Sequence, residues 1–138
     1  MNTLQSFLNP KRDVTRKKIA VSDRFLDEDG KLSLVTLKSI SQAENEQLMQ
    51  ECTRPKTENG VTYEEFDRKL YQARLFIASV EDPNFKDKAF AEKYKHFEPE
   101  GIPAKVFNKE EYALIMGEIM KLGGVEEAAA LNAQAKNF

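Results

Sequence analysis

A regular apolar stripe runs through the middle of the 138-residue chain. Its members are separated by four, three, four and three positions, which is the spacing of one face of an α-helix. They are Phe66, Leu70, Ala73, Ile77 and Val80. Thr62 and Glu65 have the spacing of a capping box, and Asp82-Pro83 ends a helix. The pattern therefore predicts one long amphipathic helix between these two signals.

Similar signals predict further helices. Ser41 and Glu44 form a second capping box, which opens a helix to about Cys52, and residues 54–60 are expected to be a polar loop. A shorter helix is expected over residues 86–94. Asn108 to Glu111 opens a helix that ends at Gly123-Gly124, and an alanine-rich helical tail is expected beyond it.

Residues 19–40 predict a β-hairpin, because apolar residues alternate on both sides of an Asp29-Gly30 turn. The predicted fold class is α+β, predominantly α-helical, with this N-terminal hairpin packed on a small helical bundle. Residues 1–18 are expected to form a docking segment and a basic connector. A single globular domain is expected over 19–124, with the hairpin at 19–40 and the helices at 41–122, followed by a helical tail over 125–138.

The charge balance argues against an electrostatic partner. The chain has 21 Lys and Arg against 23 Asp and Glu, a formal net charge of −2, so no overall field attracts nucleic acid or anionic lipid. The basic stretch at residues 11–18 contains no aromatic residue and is better explained as a solvated connector. No secretory signal or apolar run of about 18 residues is found, so a cytoplasmic location is expected.

No set of residues supports catalysis or metal binding. Cys52 and His96 are the only cysteine and the only histidine, too few for a zinc site or a nucleophile with its base. The Asp-rich turn fails as a calcium loop, because Phe25 and Thr36 would occupy its first and last ligand positions. We expect no catalytic residue, no cofactor, no metal and no enzymatic activity.

Two apolar surfaces are candidates for binding another protein. Leu4, Phe7 and Leu8 lie on one face of a short N-terminal helix, too short to be stable alone in water. The second candidate lies on the helix that follows Asn108, where more apolar residues occur than one buried stripe needs; a core role and an adaptable protein-binding face both remain open. Its members are Ile115, Met116, Ile119 and Met120.

Several segments together resemble the XkdN-like tail assembly chaperones of phages and defective prophages of Gram-positive bacteria. They are LQSFL (4–8), AVSDRFLDEDGK (20–31), ECT (51–53), FDRKLYQARLFIASVEDPNF (66–85) and EEYALIMGEIMKLGG (110–124). The resemblance extends over most of the chain and is weaker over residues 86–105. These motifs are structural rather than catalytic.

The resemblance implies a protein that binds the tape measure protein, keeps it soluble and helps to bring tail tube protein to it in the host bacterial cytoplasm. It also implies that a frameshifted longer product could exist, which the Lys136-Asn137 codons could allow. We further expect a homo-oligomer built through the N-terminal segment. The alternatives are a structural virion protein, such as a head–tail connector, and, less favoured, a small nucleic-acid-binding regulator that uses residues 11–18.

Overall fold

The computed structural model describes residues 2–122 and residue 135. The helices are α1 (Thr3–Leu8), α2 (Gln42–Glu51), α3 (Arg68–Ser79), α4 (Lys88–Tyr94), α5 (Pro103–Val106) and α6 (Lys109–Lys121), with a 3-10 turn at Pro99–Gly101. The strands are β1 (Arg16–Ala20), β2 (Leu34–Lys38), β3 (Thr53–Glu58), β4 (Val61–Phe66) and β5 (Val80–Asp82). The predicted tail over 125–138, apart from residue 135, and the predicted stop at Gly123-Gly124 lie outside the described residues.

One antiparallel sheet has the strand order β1-β2-β5. β1 pairs with β2 from Arg16 opposite Lys38 to Ala20 opposite Leu34. β5 follows α3 directly and pairs with the other edge of β2, with a shift in register between Thr36 and Leu37. The sheet therefore joins the N-terminal strands to the end of α3.

The connection between β1 and β2 contains the Asp-rich turn. The Asp27 carboxylate accepts hydrogen bonds from the backbone N–H groups of Asp29 (2.8 Å) and Lys31 (2.9 Å). Gly30 adopts a φ of 78°, which a residue without a Cβ adopts readily. The acidic side chain thus stabilises a tight turn.

A second sheet consists of β3 and β4 alone. They pair from Thr53 opposite Phe66 to Glu58 opposite Val61, across a two-residue Asn59-Gly60 turn in which both residues have positive φ. Such a turn matches the natural twist of a hairpin. All of its residues from 54 to 66 are exposed, so the β3–β4 hairpin projects from the body of the protein.

The predicted fold class was wrong, because two antiparallel sheets of three and two strands replace the expected single N-terminal hairpin on a helical bundle. The supposed capping box at Thr62 lies in β4, and the supposed loop over 54–60 forms β3 and its turn. The Asn-Gly turn and the β-branched and aromatic residues that flank it favour strands here. α3 begins later, where the Asp67 carboxylate accepts a hydrogen bond from the Leu70 N–H (3.1 Å).

The core lies between the three-stranded sheet and the helices α3 and α6. Val35 and Leu37 are two positions apart on β2, so they share a face of the strand, and both are buried. Phe76 of α3 and Ile115 of α6 are completely buried in the same cluster. Phe85, Ile102 and Phe107, from the segments between β5 and α6, complete it.

Gly60→Ala is expected to weaken the β3–β4 hairpin without unfolding the rest of the protein. A residue with a Cβ at a φ of 78° is strained by about 1–2 kcal/mol. An isolated two-stranded hairpin is only marginally stable, so this cost should open it locally. Hydrogen exchange should become faster at the amides of β3 and β4 while those of α3 stay protected. Unchanged exchange in the hairpin would contradict this prediction.

Candidate protein-binding groove

The start of α6 is fixed by Glu111, whose side chain is only 4% exposed. Its carboxylate accepts from the Asn108 N–H and the Asn108 side chain accepts from the Glu111 N–H, both at 2.8 Å, which completes a capping box. The same carboxylate accepts two hydrogen bonds from Arg24, from Nε at 2.9 Å and from Nη2 at 2.6 Å, and one from the Ser22 hydroxyl. Glu111 therefore ties α6 to the segment that precedes β2.

These contacts change the ionisation of Glu111. The hydrogen bonds from Arg24 lower the pKa of the Glu111 carboxyl from 4.5 to about 2, with help from the Ser22 hydroxyl and the Asn108 N–H and against the opposing effect of burial. The carboxylate is therefore charged throughout the physiological range, so its hydrogen bonds to Arg24 persist there.

α3 and α6 contact each other through aromatic rings. Phe76 of α3 stacks on Tyr112 of α6, with ring centroids 4.8 Å apart and nearly parallel planes. Burial raises the pKa of the Tyr112 hydroxyl. Beyond this contact the two helices leave an open groove of about 680 Å³ between them. It is lined by Met49, Phe66, Arg68, Tyr71, Gln72, Leu75, Lys109, Tyr112, Ala113, Met116, Gly117 and Met120; we call it the α3–α6 groove.

The α6 side of the α3–α6 groove, which we call its floor, is lined mainly by apolar and small residues. A Cβ added at Gly117 would meet no atom within 4 Å, so the glycine leaves open space next to Ala113, one turn earlier. Met116 and Met120 lie on either side of Gly117 in the sequence and line the groove beside this open trough, and Met49 of α2 lines the groove as well. Methionine side chains are unbranched and adapt to irregular partners.

Two cations and two further aromatic rings also line the groove. Arg68 and Lys109 are the charged residues that line it. The rings of Phe66 and Tyr71 lie with centroids 5.4 Å apart, and the Tyr71 hydroxyl donates to the Asn45 side chain. No carboxylate is among the described residues that line the groove. The surface is thus suited to an apolar segment flanked by acidic groups.

The residues predicted to bind a partner fall into different places. Ile115 (0% exposed) and Ile119 (8%) belong to the core, because they point to the sheet side of α6. Met116 is half-buried and Met120 is 66% exposed, and both line the α3–α6 groove. That these side chains contact another protein stays a prediction.

The N-terminal candidates form a separate surface on α1. Leu4, Phe7 and Leu8 are 63%, 82% and 62% exposed. None of them lines the groove of its own chain.

Sequence reasoning missed Gly117 and Ala113 as parts of the groove. A glycine inside a helix costs about 1 kcal/mol relative to alanine, so its presence between Met116 and Met120 was a signal of a packing or binding role. Met49 and Phe66 could not have been found in this way, because they come from other elements.

The remaining candidates for chemistry do not form a site. Cys52 is buried, and burial raises the pKa of its thiol, so it stays protonated. Among residues 2–122 and 135 there is no group of three or more His, Cys, Asp or Glu that could hold a metal ion.

In the basic stretch, Arg16 pairs with Glu81 (2.8 Å) and Lys17 with Glu118 (2.7 Å), so part of its charge stabilises the fold. In the part of the chain described here, every helix is too short or too polar to cross a bilayer.

The fold and the α3–α6 groove define an α+β protein with an open, largely apolar groove between two helices. The model of the phage XkdN-like tail assembly chaperone family matches residues 4–132, and the chain belongs to this family.

Two proteins of Bacillus subtilis (strain 168) are similar to this chain over most of its length. The phage-like element PBSX protein XkdN is 28% identical over 137 residues, which cover 96% of this chain and 93% of that protein. The protein YqbN is 28% identical over 126 residues, covering 88% and 85% of the two chains. The crystal structure of YqbN superposes with a TM-score of 0.72 at 25% identity, and the match covers 86% of this chain and 94% of the YqbN chain.

Proposed function

We propose that this protein binds the tape measure protein in the α3–α6 groove, keeps it soluble and helps tail tube protein to assemble around it in the cytoplasm of the host bacterium. Membership of a tail assembly chaperone family gives the general role. The observation that carries the specific proposal is the open apolar groove of about 680 Å³ with its methionine-rich floor.

The groove has the features of a site for an amphipathic helix. Helix-in-groove recognition places apolar side chains at helical spacing into a hydrophobic trough. The small residues Ala113 and Gly117 allow a close approach, and Met116 and Met120 can repack around different side chains. Arg68 and Lys109 are placed to pair with acidic residues beside the apolar stripe of the bound helix. The groove is thus better suited to many related helical segments than to a single unique sequence.

Weak binding at each groove is compatible with this role. A long helical client offers many similar segments, so many copies of the chaperone can bind one client at once. Each contact then needs only modest affinity, and cooperation between neighbouring copies raises the total.

The substitution Gly117→Leu is expected to block the groove without destabilising the fold. A leucine at this position finds open space and removes the unfavourable helical glycine, so the free energy of unfolding should be unchanged or higher. Its side chain should occupy the trough and weaken client binding at least tenfold. The measurement is co-expression with the tape measure protein of the same phage or prophage, followed by the soluble yield of that protein and by pull-down.

Gly117→Ala is the matched control, because one methyl group improves helix propensity while it leaves most of the trough open. Met120→Glu should also reduce binding, since it places a carboxylate on the apolar floor. Binding by Gly117→Leu and Met120→Glu at the level of the unaltered chain would exclude the groove as the client site. Finding the protein at stoichiometric copy number in purified particles would instead favour a structural virion role.

A further inference from the structure

The helix α1 is a well-formed element whose residues are all exposed in the described part of the chain. Its ends are capped, with the Asn2 side chain accepting from the Gln5 N–H (2.9 Å) and the Asn9 N–H donating to the Gln5 carbonyl (3.0 Å). No residue of α1 is buried against the described part of the chain. A helix of six residues is unstable alone in water, so its apolar face needs a surface to pack on.

We propose that, in the free protein, α1 of a second copy occupies the α3–α6 groove and that the two copies do so reciprocally. This inference rests on the proposed function in one respect, namely that the groove is a site for an apolar helix. The inference goes beyond the proposed function because it assigns an occupant to the groove before a client is present.

The N-terminal segment joins the body of the protein on the side of α6 that faces away from the groove. β1 is held to α6 by the ion pair between Lys17 and Glu118. Glu118 is two positions from both Met116 and Met120, and a step of two residues is roughly 200° around a helix. β1 therefore lies on the side of α6 opposite to the groove. Residues 9–15 can extend by at most about 25 Å, and no residue of α1 lines the groove of its own chain.

The chemistry of α1 matches the floor of the groove. Residues 2–10 contain no charged side chain, and α1 offers Leu4, Phe7 and Leu8 on one face. The groove floor offers methionines, aromatic rings and two small residues without any carboxylate. Both surfaces are therefore largely apolar, and the two cations that line the groove, Arg68 and Lys109, are exposed and can stay in water when α1 binds.

The area is adequate for a specific dimer. Each of the three α1 side chains has more than 60% of its surface exposed, and with typical areas for large apolar side chains they present roughly 350 Å². Two reciprocal contacts, counted on both partners, would bury on the order of 1,400 Å², within the range of about 1,200–2,000 Å² for specific interfaces. A reciprocal contact of this kind has two-fold symmetry and closes on itself.

This arrangement would cover the apolar groove until a client helix competes for it. Large exposed apolar patches cause non-specific association, so an occupant from the same protein is useful in a chain that waits for a partner. The dimer must be weak enough for multivalent client binding to displace α1.

The first test compares the mass of full-length variants by sedimentation velocity. The unaltered chain should be a dimer, and Phe7→Asp and Met120→Glu should each shift it to monomer. Phe97→Asp and Leu114→Glu are matched controls, because both residues are exposed apolar residues outside α1 and outside the groove, and both variants should remain dimeric. A monomeric unaltered chain, or dimers in both Phe7→Asp and Met120→Glu, would overturn the proposal.

The second test identifies the contact itself. A fluorescent peptide of residues 2–12 should bind the full-length Phe7→Asp chain, whose groove is vacant, and Met120→Glu in that chain should weaken the binding at least tenfold. Equal binding to both chains would overturn the proposal. The monomeric Phe7→Asp chain should still keep the tape measure protein soluble. If the unaltered chain is a dimer but does not keep the tape measure protein soluble, that result would contradict the proposed function and leave the dimer proposal standing.

Discussion

Replacing Phe76 with alanine is expected to lower the free energy of unfolding by about 3–5 kcal/mol, the usual cost of emptying a large aromatic site in a core. Phe76 is completely buried and contacts three other rings of the aromatic cluster. Its ring stacks on Tyr112 and lies about 6 Å, centroid to centroid, from both Phe85 and Phe107. The substitution would therefore remove contacts between α3, α6 and the segments that connect them.

A loss of this size is a large share of the 5–15 kcal/mol that stabilises a typical domain. Urea unfolding followed by circular dichroism should show a lower midpoint, and the variant should be partly unfolded if the protein is near the lower end of that range. Phe97→Ala is the control, because Phe97 is 89% exposed and should change stability by less than about 0.5 kcal/mol. Similar midpoints for the two variants would mean that the aromatic cluster does not hold the helices together.

Glu111→Gln is expected to make the protein less stable at neutral pH. It should also make the free energy of unfolding fall less steeply as the pH is lowered. The folded-state pKa of the Glu111 carboxyl is about 2, below its ordinary value of 4.5. The unfolded chain therefore takes up the proton first as the pH falls. The stability that Glu111 contributes is complete above pH 4.5 and is lost between pH 4.5 and about 2.

Glutamine at this position cannot ionise, so the part of the acid dependence that belongs to Glu111 should disappear. Urea unfolding at a series of pH values from neutral to about 2 measures how steeply the free energy of unfolding changes with pH, for the variant and for the unaltered chain. Glu110→Gln, an exposed neighbour in the same turn of α6, controls for the loss of a negative charge near the helix start. Two curves of equal slope for the unaltered chain and Glu111→Gln would show that the contacts with Arg24 and Ser22 do not survive in solution.

Sequence signals predicted the local features of the fold well. Ser41 caps α2, where its hydroxyl accepts from the Glu44 N–H at 3.1 Å, and Asn108 and Glu111 form the capping box of α6. These signals act over three residues, so one sequence carries all the information that they need. The family was also predicted from the resemblance, and the family model confirms it.

Strand pairing could not be predicted from the same kind of signal. The apolar stripe from Phe66 to Val80 crosses three elements, because Phe66 lies in β4 and Val80 in β5. Val80 pairs with Leu37, a partner 43 positions earlier in the chain, and periodicity over a few residues contains nothing about that partner. The hairpin was missed because its Thr-x-x-Glu sequence imitates a helix cap.

The groove required the relative positions of four elements. The paired residues Ile115–Ile119 and Met116–Met120 have the same spacing, so the sequence alone could not show which pair faces the core. The position of α3 against α6 decides this, since it places the isoleucines inside and leaves the methionines beside the groove.

The topology also sets the order in which a newly made chain can fold. β2 emerges from the ribosome early, but the edge that pairs with β5 stays open until β5 has been synthesised. Leu37 and Phe76 stay uncovered until α6 follows. Contacts between segments so far apart in sequence form slowly. The incomplete chain therefore exposes apolar surface for much of its synthesis, which makes it prone to association until α6 is complete.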